Sequence, residues 1–191
     1  DLLVLIHTVP PLIEVFDRLA AELLPDVLIL HVLDEPLLER VRQRGQLADE
    51  DAQHLAAHVQ EAERIGAAAV LVTCSTISPC VNTVRTRAGL PVLRIDERMI
   101  EHAIEIGETI GVIATNRTTL EPTRGLLLAA AERAGKQVEV ELMMVEGALP
   151  ALLAGSYLLA KRVLAGMRDH LGLTIAAAGL VIAAVAALYI G

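Results

Sequence analysis

The sequence predicts an α/β protein of two pseudo-symmetric lobes, each a parallel sheet flanked by helices. Three observations carry that expectation. Short apolar runs rich in Val, Ile and Leu alternate with amphipathic helical stretches, the pattern of a parallel sheet covered on both faces. The alternation then restarts near Thr109, so that Ile113-Ala114-Thr115 repeats the setting of Leu5-Ile6-His7-Thr8. Polar residues also collect where the apolar runs end, and ligands of open α/β sheets bind outside the carboxyl ends of strands.

Leu2 to Ile6 reads as a buried strand ending at His7-Thr8. Pro10-Pro11 opens a helix with Leu12, Val15, Phe16, Leu19, Ala20 and Leu23 at helical spacing, and Pro25-Asp26 stops it. Val27 to Val32 is the second strand. A helix from Pro36 to Arg44 ends at Gly45, and a polar helix from Asp49 to Ile65 ends at Gly66. Ala67 to Val72 is short and β-branched, as a strand buried on both faces would be. Ser78-Pro79 reads as the next helix start, with an N-cap hydroxyl and a proline at the first helical position. Pro91 to Ile95 is the fourth strand and Arg98 to Gly107 a helix.

In the second half, Thr109 to Ala114 is a strand, Glu121-Pro122 opens a helix running to Gly135, and Gln137 to Met143 is a strand. Helical Leu149 to Asp169 then leads to Leu180-Val181-Ile182, which mirrors Val70-Leu71-Val72. The lobes are expected at 1–98 and 99–191, the second without a counterpart of the strand 91–95.

Composition narrows the partners. Over 191 residues the net charge is −8, and Phe16, Tyr157 and Tyr189 are the only Phe, Trp or Tyr residues. With no basic cluster longer than Arg40-Val41-Arg42-Gln43-Arg44, nucleic acid is not an expected partner. Cys74 and Cys80 are the only cysteines, and two cysteines six apart with no charged region before the first apolar run do not read as a disulfide framework. Those features fit a reducing, cytoplasmic setting. Leu171 to Gly191 carries no charge and meets the length rule for a membrane span. It is mostly small residues without flanking Lys or Arg, so a buried strand and an alanine-rich helix are expected instead.

The candidate active site lies in the inter-lobe cleft, lined by His7, Thr8, Cys74, Ser75, Thr76, Thr115 and Thr118. Cys74 falls between a central strand and a helix start, where free N–H groups can hold a carboxylate and favour a thiolate. It is equally a residue type often found simply buried. Hydroxyls suit a small carboxylate better than a nucleotide, and neither a G-x-G-x-x-G after a strand nor a Walker A sequence is present. His54 and His58 are four apart on a helix, a metal-binding spacing, but no third ligand follows from the sequence. A solvated helix face is the expectation there, with no metal and no cofactor.

The chain resembles the aspartate/glutamate/hydantoin racemase family. The likeness rests on Thr73-Cys74-Ser75-Thr76 after a strand, on Val92-Leu93-Arg94-Ile95-Asp96-Glu97, and on Ile110-Gly111-Val112-Ile113-Ala114-Thr115 with Thr118-Thr119. It implies a cofactor-independent racemase or isomerase acting at the α-carbon of a small carboxylic or amino acid, and a possible homodimer. By the resemblance, Cys74 is the first-lobe thiol, Ser75, Thr76, Thr115 and Thr118 hold the substrate carboxylate, and Thr8, where the family has serine, is a substrate-binding residue. Ser75 stands where the family usually has Asn. His7 stands where an acid usually orients the thiol, and reads either as a base for Cys74 or as a core histidine. The turn matching Cys74, near Ala183-Ala184-Val185-Ala186, has no cysteine. The resemblance therefore also implies a single-cysteine enzyme like the arylmalonate decarboxylases, or a non-catalytic carboxylate-binding protein on the same scaffold.

Overall fold

The computed structural model describes residues 1–145. The chain divides into two compact units, Asp1–Glu97 and a second beginning at Arg98. Each carries a parallel sheet flanked by helices, the α/β class expected from the alternating pattern.

The first unit runs β1 (Leu2–His7), α1 (Pro11–Leu23), β2 (Leu28–Leu33), α2 (Glu35–Arg44), α3 (Asp49–Arg64), β3 (Ala69–Val72), α4 (Ser78–Val84) and β4 (Val92–Arg94). Its strands lie in the order β2-β1-β3-β4, all parallel, so β1 and β3 are central. Val4, Ile6, Val70, Val72 and Val92 face one way and pack with Leu37 of α2, Leu55 and Val59 of α3, and Ile77, Val81 and Val84 at α4. Leu55 is fully buried. Truncating such a leucine to alanine costs about 2–5 kcal/mol, so this face is the unit's main source of stability. On the opposite face the Phe16 ring of α1 lies 5.4 Å from that of His7.

Helix ends set the geometry of the strand ends. Asp34 caps α2 by accepting the Leu37 N–H at 3.0 Å. Asp49, Glu50 and Asp51 fill the first turn of α3, complementing the helix dipole, and Asp51 accepts the Ala48 N–H at 2.8 Å. Gly45 and Gly66 end α2 and α3 at φ 80°, a conformation that is strained for any residue with a Cβ. The Ala67 N–H then turns back to the Ala62 carbonyl at 3.0 Å. That is why β3 starts two residues later than the apolar run suggests.

In the second unit α5 (Glu97–Ile106) is followed by β5 (Thr109–Ala114), α6 (Arg117–Arg133) and β6 (Glu139–Met144), with β5 and β6 parallel. Ile100 and Ala103 pack with Ile110, Val112, Leu126, Leu127 and Ala130. Lys136 Nζ donates to the Ile104 and Glu105 carbonyls, both at 2.9 Å, which closes the end of α5.

Besides one-residue shifts at the starts of α2 and α5, two helix starts differ from expectation in what caps them. The N-cap of α4 is Ile77, not Ser78, and Pro79 comes second. The Ile77 N–H already reaches the Cys74 carbonyl at 3.2 Å, so the helix is entered one residue early and Ser78 is inside it. α6 begins at Arg117, not Glu121, because Asn116 caps it through the Thr118 N–H at 3.4 Å. Pro122 lies inside α6 and forfeits one internal hydrogen bond, offset by burial of Leu126, Leu127, Ala130 and Ala131.

Among the described residues no helix is long and apolar enough to cross a membrane. The expected helix 149–169, the strand 180–182, the turn 183–186 and the alanine-rich stretch 171–191 lie outside the described residues.

Candidate active site

The carboxyl ends of β1 and β3 are adjacent, with Ile6 in register with Val72. His7 and Thr8 therefore stand beside Thr73, Cys74, Ser75 and Thr76. His7 and Thr8 are buried, as are Thr73 and Thr76, while Cys74 and Ser75 are half-buried. The Cys74 carbonyl accepts from the Ile77 N–H at 3.2 Å and the Ser78 hydroxyl at 3.3 Å. Two bonds to one carbonyl hold the turn that carries the thiol.

Cys80 has a different character. It is buried in α4, and burial, aided by the Asp51 charge, pushes its thiol up to about 11. At neutral pH it remains a thiol. Of the two cysteines, only Cys74 has surface that a substrate could meet.

A chain of side chains leads from solvent to the residue before Cys74. Asp17 Oδ1 lies 2.9 Å from His31 Nε2, His31 Nδ1 is 2.8 Å from His7 Nε2, and His7 Nδ1 is 2.8 Å from Thr73 Oγ1. Thr73 Oγ1 also lies 3.1 Å from the Ile6 carbonyl. The imidazoles of His7 and His31 are stacked at 5.0 Å. Donors and acceptors match in two ways. With neutral imidazoles, Thr73 donates to His7 and gives up its bond to the Ile6 carbonyl, His7 donates to His31, and His31 to Asp17. With one added proton on His31, the inner bonds reverse: His31 donates to His7, His7 to Thr73, and Thr73 to the Ile6 carbonyl. Burial, followed by the neighbouring His31 charge, lowers His7 to about 4 against a weaker pull from Asp17. His7 is thus a neutral relay whose two ring nitrogens engage Thr73 and His31.

Arg94 and Asp96 bracket the end of β4, beside β3. Both are buried, and Arg94 Nε approaches Asp96 Oδ1 to 3.4 Å. Burial raises the Asp96 carboxyl against the opposing pull of Arg94. Arg94 Nε and Nη1 and both Asp96 oxygens lack a well-aligned hydrogen bond among the described residues, although the Ser78 hydroxyl is near enough to favour the Asp96 carboxylate. Glu97 instead pairs with Arg85 at 2.8 Å.

In the second unit Thr115 follows β5 directly, and Thr118 lies in the first turn of α6, both half-buried. They occupy the same kind of place, a carboxyl strand end leading into a helix, as the Cys74 turn does in the first unit.

The sequence matches the Asp/Glu/hydantoin racemase model over residues 8–183. The chain belongs to that family. The matched span takes in every candidate site residue but His7. Among solved structures, glutamate racemase from Aquifex pyrophilus has the same fold at TM-score 0.57 and 18% identity, covering 74% of this chain and 55% of that one. Allantoin racemase from Klebsiella pneumoniae matches at 0.56 and 16%, over 88% of this chain and 69% of its own. Glutamate racemase from Campylobacter jejuni subsp. jejuni matches at 0.54 and 14%, over 82% and 62%. The chain thus spans little more than half the length of the first of these racemases. No curated protein sequence matches it.

His31 and Asp17 were not among the residues read from the sequence of this racemase-family chain. A lone histidine inside the apolar β2, in register with Leu5, was the available signal, since a buried imidazole needs partners. Asp34 accepts the Leu37 N–H as the cap of α2. It also meets His54 and His58, so the solvated helix face expected there is a partnered cluster.

Proposed function

We propose that this chain is a cofactor-independent racemase or related isomerase acting at the α-carbon of a small carboxylic or amino acid. The observation that carries the reading is a half-exposed thiol, Cys74, on a tightly held turn at the carboxyl end of a central strand, in a member of the Asp/Glu/hydantoin racemase family. Cys74 as thiolate takes the α-proton, and the electron pair passes into the carboxyl group as an enediolate. Ser75 and Thr76, in the turn that carries the thiol, supply hydroxyl and N–H donors to that carboxylate. Thr8 stands beside them. Return of a proton from the opposite face completes inversion. Buried Cys80 is not that donor.

His7 is a positioning residue in this scheme. Through Thr73 it fixes the backbone entering the Cys74 turn, and its link to His31 and Asp17 gives the turn a proton connection to solvent.

The test is solvent deuterium exchange at Cα, followed by NMR over a panel of aspartate, glutamate, hydantoins and allantoin. Wild type should exchange at least one of them. Cys74→Ser, still folded by circular dichroism, should lose nearly all exchange. Full exchange by that variant would remove the thiol from the chemistry.

One observation favours a second reading. The 191 residues hold a single accessible cysteine, and one thiol is enough to protonate an enediolate left by loss of carbon dioxide. Carbon dioxide release from an arylmalonate, with no Cα exchange of the amino acids, would establish the decarboxylase. Tight carboxylate binding with neither reaction would mark a binding protein.

A further inference from the structure

The Asp34 carboxyl group is buried at the carboxyl end of β2, and its Oδ1 is already engaged by the Leu37 N–H at 3.0 Å. Oδ2 is met by His54 Nε2 at 2.7 Å and by His58 Nε2 at 2.7 Å. Both histidines lie on α3 four residues apart, so their rings leave one face of the helix. The rings are 5.3 Å apart at 83° to each other, and the three ligand atoms all lie within 4.8 Å of one another.

Capping α2 needs one carboxylate oxygen, and Oδ1 provides it. Nothing in that task explains two imidazoles converging through the same ring nitrogen on the second oxygen. Two imidazole nitrogens and one carboxylate oxygen are a donor set for zinc and its first-row neighbours. Bond lengths of about 2.0–2.2 Å to such an ion place its donors roughly 3–3.5 Å apart, so each imidazole must withdraw slightly from the carboxylate. His54 can do so, since its side chain is 44% exposed. Asp34 cannot turn away, because the Leu37 N–H holds its other oxygen, the kind of outer hydrogen bond that orients metal ligands.

We propose that Asp34, His54 and His58 form a site for one divalent transition-metal ion of the zinc class, with its remaining coordination positions open to water. The Asp34 N–H bonds to the His7 carbonyl at 2.8 Å, which places the site on the same rim of the sheet as the thiol. In the strand order it stands two strands from Cys74, roughly 10 Å at about 4.8 Å per strand. The ion ties α3 to the start of α2, adding to the Arg44 pairs with Glu50 and Asp51 at the other end of α2, and stabilises the first unit by mass action. The site stands independently of the reaction proposed for Cys74.

The full chain, stripped with chelator and carrying Cys74→Ser so that the thiol cannot bind metal, is titrated calorimetrically with Zn²⁺. The expected result is one ion per chain. His54→Gln, His58→Gln and Asp34→Asn, the last of which keeps an acceptor for the cap, each weaken binding at least about tenfold. Co²⁺ should give a ligand-field spectrum without a thiolate charge-transfer band, and Zn²⁺ should raise the Tm of the parent but not of His54→Gln. Absence of stoichiometric binding, or binding unchanged by both His54→Gln and Asp34→Asn, overturns the site. Exposed His54 makes its variant decisive even if another variant folds poorly.

Discussion

His7 and Thr73, 66 residues apart in the chain, meet through a buried contact of 2.8 Å between Nδ1 and Oγ1. The pairing joins the ends of the two central strands immediately before the thiol. Thr73→Val keeps the shape of the side chain but removes the hydroxyl, leaving a buried ring nitrogen without its partner. The expected loss is about 1–3 kcal/mol, read as a lower urea midpoint at unchanged m. The double variant Thr73→Val with His7→Asn should cost less than the sum of the two single changes, since both remove the same contact.

Stability should fall as the solution is acidified, and His7 supplies a defined part of the fall. Its folded value is about 4 against an ordinary 6.5, so between those limits the unfolded chain binds a proton that the folded chain refuses. The contribution is complete above the unfolded value and is lost progressively as pH falls towards the folded one. From roughly pH 7.5 to pH 5 this amounts to about 2 kcal/mol. Urea unfolding at both conditions should show that much less pH dependence in His7→Asn than in wild type. Equal dependence would mean His7 is protonated in the folded state.

The two cysteines should separate cleanly in their chemistry. A thiol held near 11 is ionised only about one part in a thousand at pH 8, and Cys80 is buried as well. Iodoacetamide added to the folded protein should label Cys74 and leave Cys80 untouched until denaturant is added, as peptide mass mapping will read. Rapid native labelling of Cys80 would contradict its place in the core.

Arg94 and Asp96 form a buried pair with poor hydrogen bonding, 3.4 Å apart at closest. Removing one charge strands the other, so Arg94→Met should cost about 3–5 kcal/mol. The double variant Arg94→Met with Asp96→Leu should recover much of that loss. Thermal and urea unfolding of the single and double variants measure both.

Local patterns in the chain were enough for the elements and their class. β5 (Thr109–Ala114) was read without error, because apolar periodicity, glycine stops and proline starts are local signals. The α6 start was missed, since a proline that usually opens a helix was outweighed by the Asn116 cap upstream. The Cys74 turn was legible for the same local reason: a buried strand must stop at polar residues before a helix begins.

The partnerships were not legible. That His31 reaches His7 depends on the parallel register of β2 against β1, and that Asp34 meets His54 and His58 depends on how α3 packs over the sheet. Composition carries no trace of either, because each contact joins residues 20 or more positions apart in the chain. A residue's type and its neighbours in sequence state what it is able to do. Which of its atoms are already engaged, and by whom, follows from packing alone, since burial makes every polar group find a partner from whatever the fold brings near.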